Sequence, residues 1–304
     1  MSAGRPARLA VGVVSAGRVG AVMGAALAAA GHRVVAASGV SRASVRRAED
    51  LLPGVPLVPP DEAAAAADLV LLAVPDDVLP GLVRGLAAAG CFRSGQIVVH
   101  TSGAQGVAVL DPAVVHGVLP LALHPVMTFT GRVEDVARLA GASVAVTAMK
   151  GAGEAGGEAA WSVGEALVVE MGAEPVRVPE SVRPLYHAAL AHGANHLITL
   201  VRDCVDVLER AGVHPAERLV APLLSAALDN ALRHGDRALT GPVARGDSGT
   251  VRTHLRELGA VDPDLAATYR VLAARTARRA ERAGLLPAHA ADEVRATLDE
   301  EKEA

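Results

Sequence analysis

Aromatic residues are nearly missing from this chain: two Phe, two Tyr and one Trp in 304 residues, or 2%. Its core must therefore be aliphatic, built from Ala, Val and Leu, which help bring the hydrophobic share to 51%. Cysteine is as scarce. Cys91 and Cys204 stand far apart with no metal-type spacing, which excludes a disulfide framework and points to a reducing compartment. Long blocks of like charge are also missing. With a formal net charge of -4, the chain has no electrostatic footprint for nucleic acid or a membrane surface. No uninterrupted apolar run reaches membrane-spanning length. Arg5 and Arg8 precede an apolar run, but Ser15 and Arg18 break it and no clean cleavage region follows, so a signal peptide is not expected. These absences leave a soluble cytoplasmic protein as the expectation.

What is there falls into two parts. The first alternates short apolar runs with Ala/Leu-rich helical stretches. Strands are predicted at 9–14, 32–38, 68–75, 96–102, 119–125, 142–148 and 174–179, with a short third strand at 57–59. Such alternation predicts parallel βαβ units with right-handed crossovers. The low-complexity stretch 151–160 reads as a surface loop or a loose helix start. Past Pro179 the strand signal stops. Helices are predicted at 181–212, 215–234, 248–259, 262–284 and 288–302. The fold class is thus α/β, a Rossmann-type parallel sheet over residues 1–180 followed by an all-α domain over 181–304.

The first strand runs into "SAGRVG", Ser15, Ala16, Gly17, Arg18, Val19 and Gly20. A dinucleotide turn uses three glycines: for the tight turn, for approach of the pyrophosphate, and for close helix packing. Gly17 and Gly20 hold the second and third places. Ser15 holds the first, where a serine at negative φ is expected to fit and its hydroxyl to add a phosphate hydrogen bond. NAD sites carry an acid at the end of the second strand. Here the segment reads "ASGVSRAS", and Ser38, Ser41 and Arg42 offer hydroxyls and a guanidinium suited to the 2′-phosphate of NADP. Ser41 or Ser44 also suits a helix cap.

Further candidates sit at strand ends, where open α/β sheets bind ligands. Val74 and Pro75 close one strand, on the cofactor side; His100, Thr101 and Ser102 close the next; His124 and Thr128 follow another. In the first long helix of the second part, His187, Ala191 and Asn195 share a face. His187 is placed to donate a proton to a carbonyl or imine and Asn195 to orient it. His192 and His196 have i, i+4 spacing, but no acid lies between them and no third ligand is evident, so no metal is expected. "LTGPVARGD", 239–247, reads as a structural loop in which Asp247 or Ser248 caps the next helix; contact of Thr240 or Arg245 with substrate is the alternative.

Taken together, "SAGRVG", "LLAVPDD", "HTSGA", "LHPVMTF", "YHAALAHGANHL" and "LTGPVARGD" resemble the Rossmann-like oxidoreductases with a C-terminal helical domain of unknown function. The group is similar in architecture to ketopantoate reductase, pyrroline-5-carboxylate reductase and prephenate dehydrogenase. In ketopantoate reductases a catalytic lysine precedes an asparagine by eight positions; matched to Asn195, the lysine position holds His187 here and the intermediate asparagine falls at Ala191. The pair His124-Pro125 resembles one in prephenate dehydrogenases, where the histidine lies in the active site. The resemblance implies an NADPH-dependent reductase of a small carbonyl compound, such as a 2-oxo acid, with His187, Asn195 and His124 catalytic and Ser102, Thr128 and Thr240 on the substrate. The alternatives are a non-catalytic NADP-binding sensor or scaffold, an imine reductase, and a deazaflavin-linked oxidoreductase. Related architectures also imply a homodimer through the helical domain.

Overall fold

A computed structural model describes residues 8–149 and 154–300. The chain packs as two compact units, Met1–Ala191 and His192–Ala304.

The first unit is built on a seven-stranded sheet: β1 (Ala10–Val14), β2 (Arg33–Ala37), β3 (Leu69–Leu72), β4 (Ile97–His100), β5 (Leu119–Pro125), β6 (Ser143–Ala148) and β7 (Glu174–Arg177), in the order β2-β1-β3-β4-β5-β6-β7. Helices α1 (Arg18–Ala29), α2 (Arg42–Leu51), α3 (Pro60–Ala65), α4 (Leu79–Ala88), α5 (Asp111–Val114), α6 (Val133–Leu139) and α7 (Glu154–Glu170) connect them. Strand residues alternate faces, and both faces are covered, so the strands are apolar throughout. Val11, Val13, Leu69 and Leu71 share one core with Met23 and Leu27 of α1, Leu51 of α2, Leu139 of α6 and Val168 of α7. Val14, Val70, Leu72 and Val98 share the other with Ala63 of α3 and Val83 and Leu86 of α4. Gly12 lets α3 approach β1, since a side chain there would overlap the Ala63 carbonyl.

The sheet departs from the expected pattern in two places. β6 runs antiparallel to β5, pairing Leu121 with Ala148 and Pro125 with Val144. Apolar alternation reveals that a segment is a strand but not which way it runs. The strand expected at 57–59 is a single bridge, Leu57 with Ala37. In the Gly/Ala/Glu stretch, 150–153 lie outside the described residues and the chain is helical from Glu154.

Helix α8 (Arg183–Arg210) begins in the first unit and continues into the second, which also holds α9 (Ala216–His234), α10 (Gly241–Arg245), α11 (Ser248–Val261), α12 (Pro263–Arg282) and α13 (Ala288–Glu300). The stretch expected to be a loop at 239–247 contains α10. Its Pro242 stands in the first turn, where the missing N–H costs nothing, and Gly246 closes it at φ 77°. Asp247 caps α11 as expected, accepting from Thr250 N–H at 3.0 Å. Val251, Leu255, Ala273, Ala277 and Val294 form the core of α11, α12 and α13. Val205 of α8 packs with Ala216 and Val220 of α9. An apolar cavity of 470 Å³ remains in this unit, lined in part by Leu200, Val207, Leu258 and Leu272. Among the described residues, no helix is long and apolar enough to cross a membrane.

Candidate functional site

The glycine turn lies at the carboxyl end of β1. The strand order reverses here: β1 leads to β2 on one side, while β3 lies on its other side. Such a switch point is where open α/β sheets bind ligands. Ser15 corrects the expectation of a negative φ, for it stands at +75°. The chain must turn from β1 into α1 within three residues, which takes a left-handed residue, and serine is held there by Ser38. Ser38 Oγ accepts from Ser15 N–H at 2.8 Å, and the Ser38 carbonyl accepts from Ala16 N–H at 2.6 Å. Ser38 is buried. Its hydroxyl serves the turn as an acceptor.

The two glycines have different duties. A side chain on Gly20 would overlap the Ser15 carbonyl and press on Ala73, so packing alone demands glycine. A Cβ on Gly17 would meet only Ser15 Oγ at 3.6 Å and the Ala73 carbonyl at 3.9 Å. The fold leaves that side of Gly17 uncrowded. Among the described residues no side chain caps α1 and no acid stands in its first turn. Free amides at a helix start attract an anion such as a dinucleotide pyrophosphate, so these residues fit the group. Val19 packs on the first core and Ala16 is buried, so both support the turn through their backbone.

At the end of β2, Ser41 and Ser44 form a reciprocal capping box, each side chain accepting from the other's N–H at 3.0 Å. That occupies Ser41 and leaves Arg42, exposed, as the free polar group of the expected trio. Arg18 and Arg47 also converge: a Cβ on Gly131 would lie 2.7 Å from Arg47 Nε and 3.2 Å from Arg18 Cγ. Val74 packs on the second core and Pro75 is exposed.

A second cluster lies at the carboxyl ends of β4 and β5. His124 Nδ1 is 2.7 Å from the Tyr186 hydroxyl, with the rings edge-on at 5.7 Å. The His187 ring stands edge-on to His124 at 6.1 Å. Gly103 makes room for both: a Cβ there would lie 2.6 Å from His187 Cδ2 and 2.8 Å from His124 Nε2. Beneath them Arg183 is fully buried. Its guanidinium donates to the Ser102 carbonyl and to Thr147 Oγ1, each at 2.7 Å, and its Nε has no partner among the described residues. Burial, then the neighbouring Arg183 charge and the His187 ring, holds the His124 pKa down to about 4, with Asp76 pulling the other way. The imidazole is neutral near pH 7. Burial also pushes the Tyr186 phenol up, against the opposing pull of Arg183.

His100 is buried and closed off. Its Nε2–H donates to the Gly106 carbonyl at 2.9 Å, its Nδ1 accepts from Ser102 N–H at 3.2 Å, and burial holds it down to about 3. It organises the loop. Ser102, expected on the substrate, is buried, and its Oγ accepts from Gln105 N–H at 2.9 Å; it too belongs to the loop. Thr128 is exposed just after β5. Asn195 and Thr240 are exposed residues of the second unit. There His192 and His196 face each other, Nδ1 to Nδ1 at 2.9 Å, and among the described residues no three metal-binding side chains come together.

Gly103, Arg183, Tyr186 and Asp76 were not singled out from the sequence. For Tyr186 a signal existed: it is one of only two tyrosines in an aromatic-poor chain. Arg183 gave none, because an arginine at a helix start reads as solvated.

A switch-point glycine turn, a mostly parallel sheet and a helical second unit define a Rossmann-like protein of two parts. Residues 1–125 match the model of the Rossmann-like domain, and residues 152–276 match that of a domain of unknown function, DUF2520. The chain is a Rossmann-like domain followed by that helical domain. No curated protein matches it. Among solved structures it is similar to a provisionally named NADP oxidoreductase from Bacteroides fragilis, with 19% identity, 88% of this chain and 98% of that one covered, and a TM-score of 0.73. It is also similar to an NADP-bound pyrroline carboxylate reductase from Plasmodium falciparum (11%, 95% and 98% covered, TM-score 0.56). A third is an imine reductase variant from Myxococcus stipitatus in complex with NAD+ (15%, 96% and 99% covered, TM-score 0.54). At these identities the shared feature is the fold.

Proposed function

We propose that this protein is an NADPH-dependent reductase of a small carbonyl compound, with 2-oxo acids the leading class. The observation that carries the proposal is the pairing of an uncrowded glycine turn at β1 with a His124–Tyr186–His187 cluster at β5, both at the carboxyl end of one sheet. Three strand spacings, about 14 Å, separate β1 from β5. Gly17 and the first amides of α1 would hold the pyrophosphate. Arg42, together with Arg18 and Arg47 where they converge near Gly131, favours NADP over NAD, because the end of β2 offers a cation and no acid. A bound nicotinamide supplies hydride. His124 and His187 hold the acceptor oxygen and provide its proton, and Gly103, having no side chain, lets both rings pack close to its backbone. Oriented donors contribute more to such a reduction than any change in ionisation. A pyrroline carboxylate reductase with NADP bound and an imine reductase in complex with NAD+, both similar in fold, support a nicotinamide-linked reductase.

The helical unit supports a homodimer through α8 and α9. Ile198, Leu219, Leu223, Leu228 and Leu232 are exposed on these helices. A second copy is the simplest cover for them.

The test has two stages. Titration with NADPH and NADH, followed by nicotinamide fluorescence, should show tighter binding of NADPH. Turnover of a panel of 2-oxo acids and cyclic imines should then consume NADPH, and His124→Gln should abolish it without changing NADPH affinity. Tight binding with no turnover on any acceptor would favour a sensor, and binding of neither nucleotide would end the cofactor assignment.

A further inference from the structure

We infer that Tyr186 is the proton source behind His124, and that Arg183 is the buried cation that keeps Tyr186 in that role. This rests on the reductase reading above and assigns the second half of its proton path. Tyr186 touches the acceptor only through His124, so it is a positioning and relay residue.

Tyr186 neighbours both of the other groups. Arg183 lies 6.0 Å from the Tyr186 ring, and the Tyr186 hydroxyl lies 2.7 Å from His124 Nδ1. The far ring nitrogen, Nε2, lies on the Gly103 side of the ring, 2.8 Å from where a side chain on that residue would begin. A neutral imidazole carries one N–H. If Tyr186 O–H donates to Nδ1, the phenol hydrogen is satisfied and the imidazole hydrogen sits on Nε2, on the Gly103 side. The reverse arrangement leaves the phenol hydrogen without this partner and turns the lone pair of Nε2 toward Gly103, where it could donate nothing. The groups facing His124 are Arg183 and His187 from α8, and Asp76 from the turn after β3; His100 of β4 feels the same Arg183 charge. Arg183 is held independently of Tyr186, by Ser102 on the β4 loop and Thr147 on β6. Its charge is therefore a fixture of the sheet. Of the charges that act on Arg183, that of Tyr186 comes first, ahead of the Glu180 and Asp76 carboxylates.

The step balances as follows. Hydride from a bound reduced nicotinamide, which would be oxidised in the step, would add to the carbonyl carbon, and the C–O π pair would move onto oxygen. That oxygen takes the proton of His124 Nε2, and Nδ1 takes the proton of Tyr186. The imidazole ends neutral with its proton shifted to the other nitrogen. The phenolate left behind faces the Arg183 cation until solvent reprotonates it.

The decisive measurement needs no substrate. In the full-length protein labelled with nitrogen-15 histidine, ring nitrogen spectra report which nitrogen of each imidazole carries hydrogen, and His124→Gln identifies the His124 signals. A protonated Nε2 with a pyridine-type Nδ1 is expected, giving way to a mixture of tautomers in Tyr186→Phe. A protonated Nδ1 in the wild type would overturn the relay, whatever acceptor the enzyme uses. The role of Arg183 is read from phenol absorbance in a Tyr269→Phe background, where Tyr186 is the one remaining tyrosine. Arg183→Gln should raise its titration midpoint, and Arg183→Lys, the folding control that keeps the charge, should not. An unchanged midpoint in a folded Arg183→Gln protein would remove Arg183 from the relay. With an active acceptor in hand, Tyr186→Phe should lower kcat by about 100-fold and leave KM unchanged. A correct tautomer with no turnover on any acceptor would count against the reductase reading alone.

Discussion

The Glu180 carboxylate fills the space that a side chain on Gly106 would need. It accepts from Val107 N–H at 2.8 Å and from Ala108 N–H at 3.2 Å, so one carboxylate closes the start of the turn that follows Gly106. The Gly106 carbonyl in turn accepts from His100 Nε2. Removing either partner should loosen the loop that carries Ser102 and Gly103. Gly106→Ala displaces the carboxylate, and Glu180→Ala strands two amides. Each should cost about 1–3 kcal/mol in urea unfolding. The double variant should cost less than the sum, since both changes remove the same contact. Full additivity would show that the two residues act separately.

Ser15 is the one non-glycine residue at positive φ among those described. A left-handed serine is strained, and the two hydrogen bonds from Ser38 offset that strain. Ser15→Gly should therefore keep NADPH affinity and raise stability by up to about 1 kcal/mol. Ser15→Val, β-branched at the same φ, should lower the Tm by several degrees. A Ser15→Gly protein with much weaker NADPH binding would mean that the serine hydroxyl, and not the turn, carries the phosphate contact.

Much of the first unit was legible because its strands are buried on both faces and read as plain apolar runs; β5 lies at 119–125, as expected. The second unit was legible through its caps and breaks, with α9 ending at His234 before Gly235. What periodicity could not carry was direction and sign. It marked β6 as a strand without its antiparallel sense, and Ser15 as a turn residue without its left-handed φ. The histidine cluster was half visible. His124 stood at a strand end and His187 on a helix, but their meeting at Gly103 depends on three segments distant in sequence. Arg183 was invisible because its burial is a tertiary fact.

Acid should destabilise the fold through two histidines. Each titrates near 6.5 in an unfolded chain but is held down in the fold, His100 to about 3 and His124 to about 4. Between these values the unfolded chain binds protons that the folded one refuses. The stabilisation is thus complete above about pH 6.5 and is lost as pH falls toward the folded values. Each histidine contributes a slope of about 1.4 kcal/mol per pH unit in that window. Urea unfolding across the window checks the sum, and His124→Gln should reduce the slope by about half. For the same reason His124 should put no inflection near pH 6.5 into kcat/KM.

The proposed dimer rests on α9. Val220 and Leu224 pack inward against α8, while Leu219 and Leu223 lie on one stripe and Leu228 and Leu232 on another, all four exposed. A helix apolar on more than one face is one packed on more than one side, and within its own unit α9 is covered on one. Sedimentation at micromolar concentration should give a dimer. Leu223→Glu combined with Leu232→Glu should shift it to monomer, because two carboxylates cannot be buried unpaired. The isolated copy should keep its glycine turn, since Ser15, Gly17 and Ser38 all belong to the first unit. A wild-type monomer across that range would remove the second copy as the cover for α9.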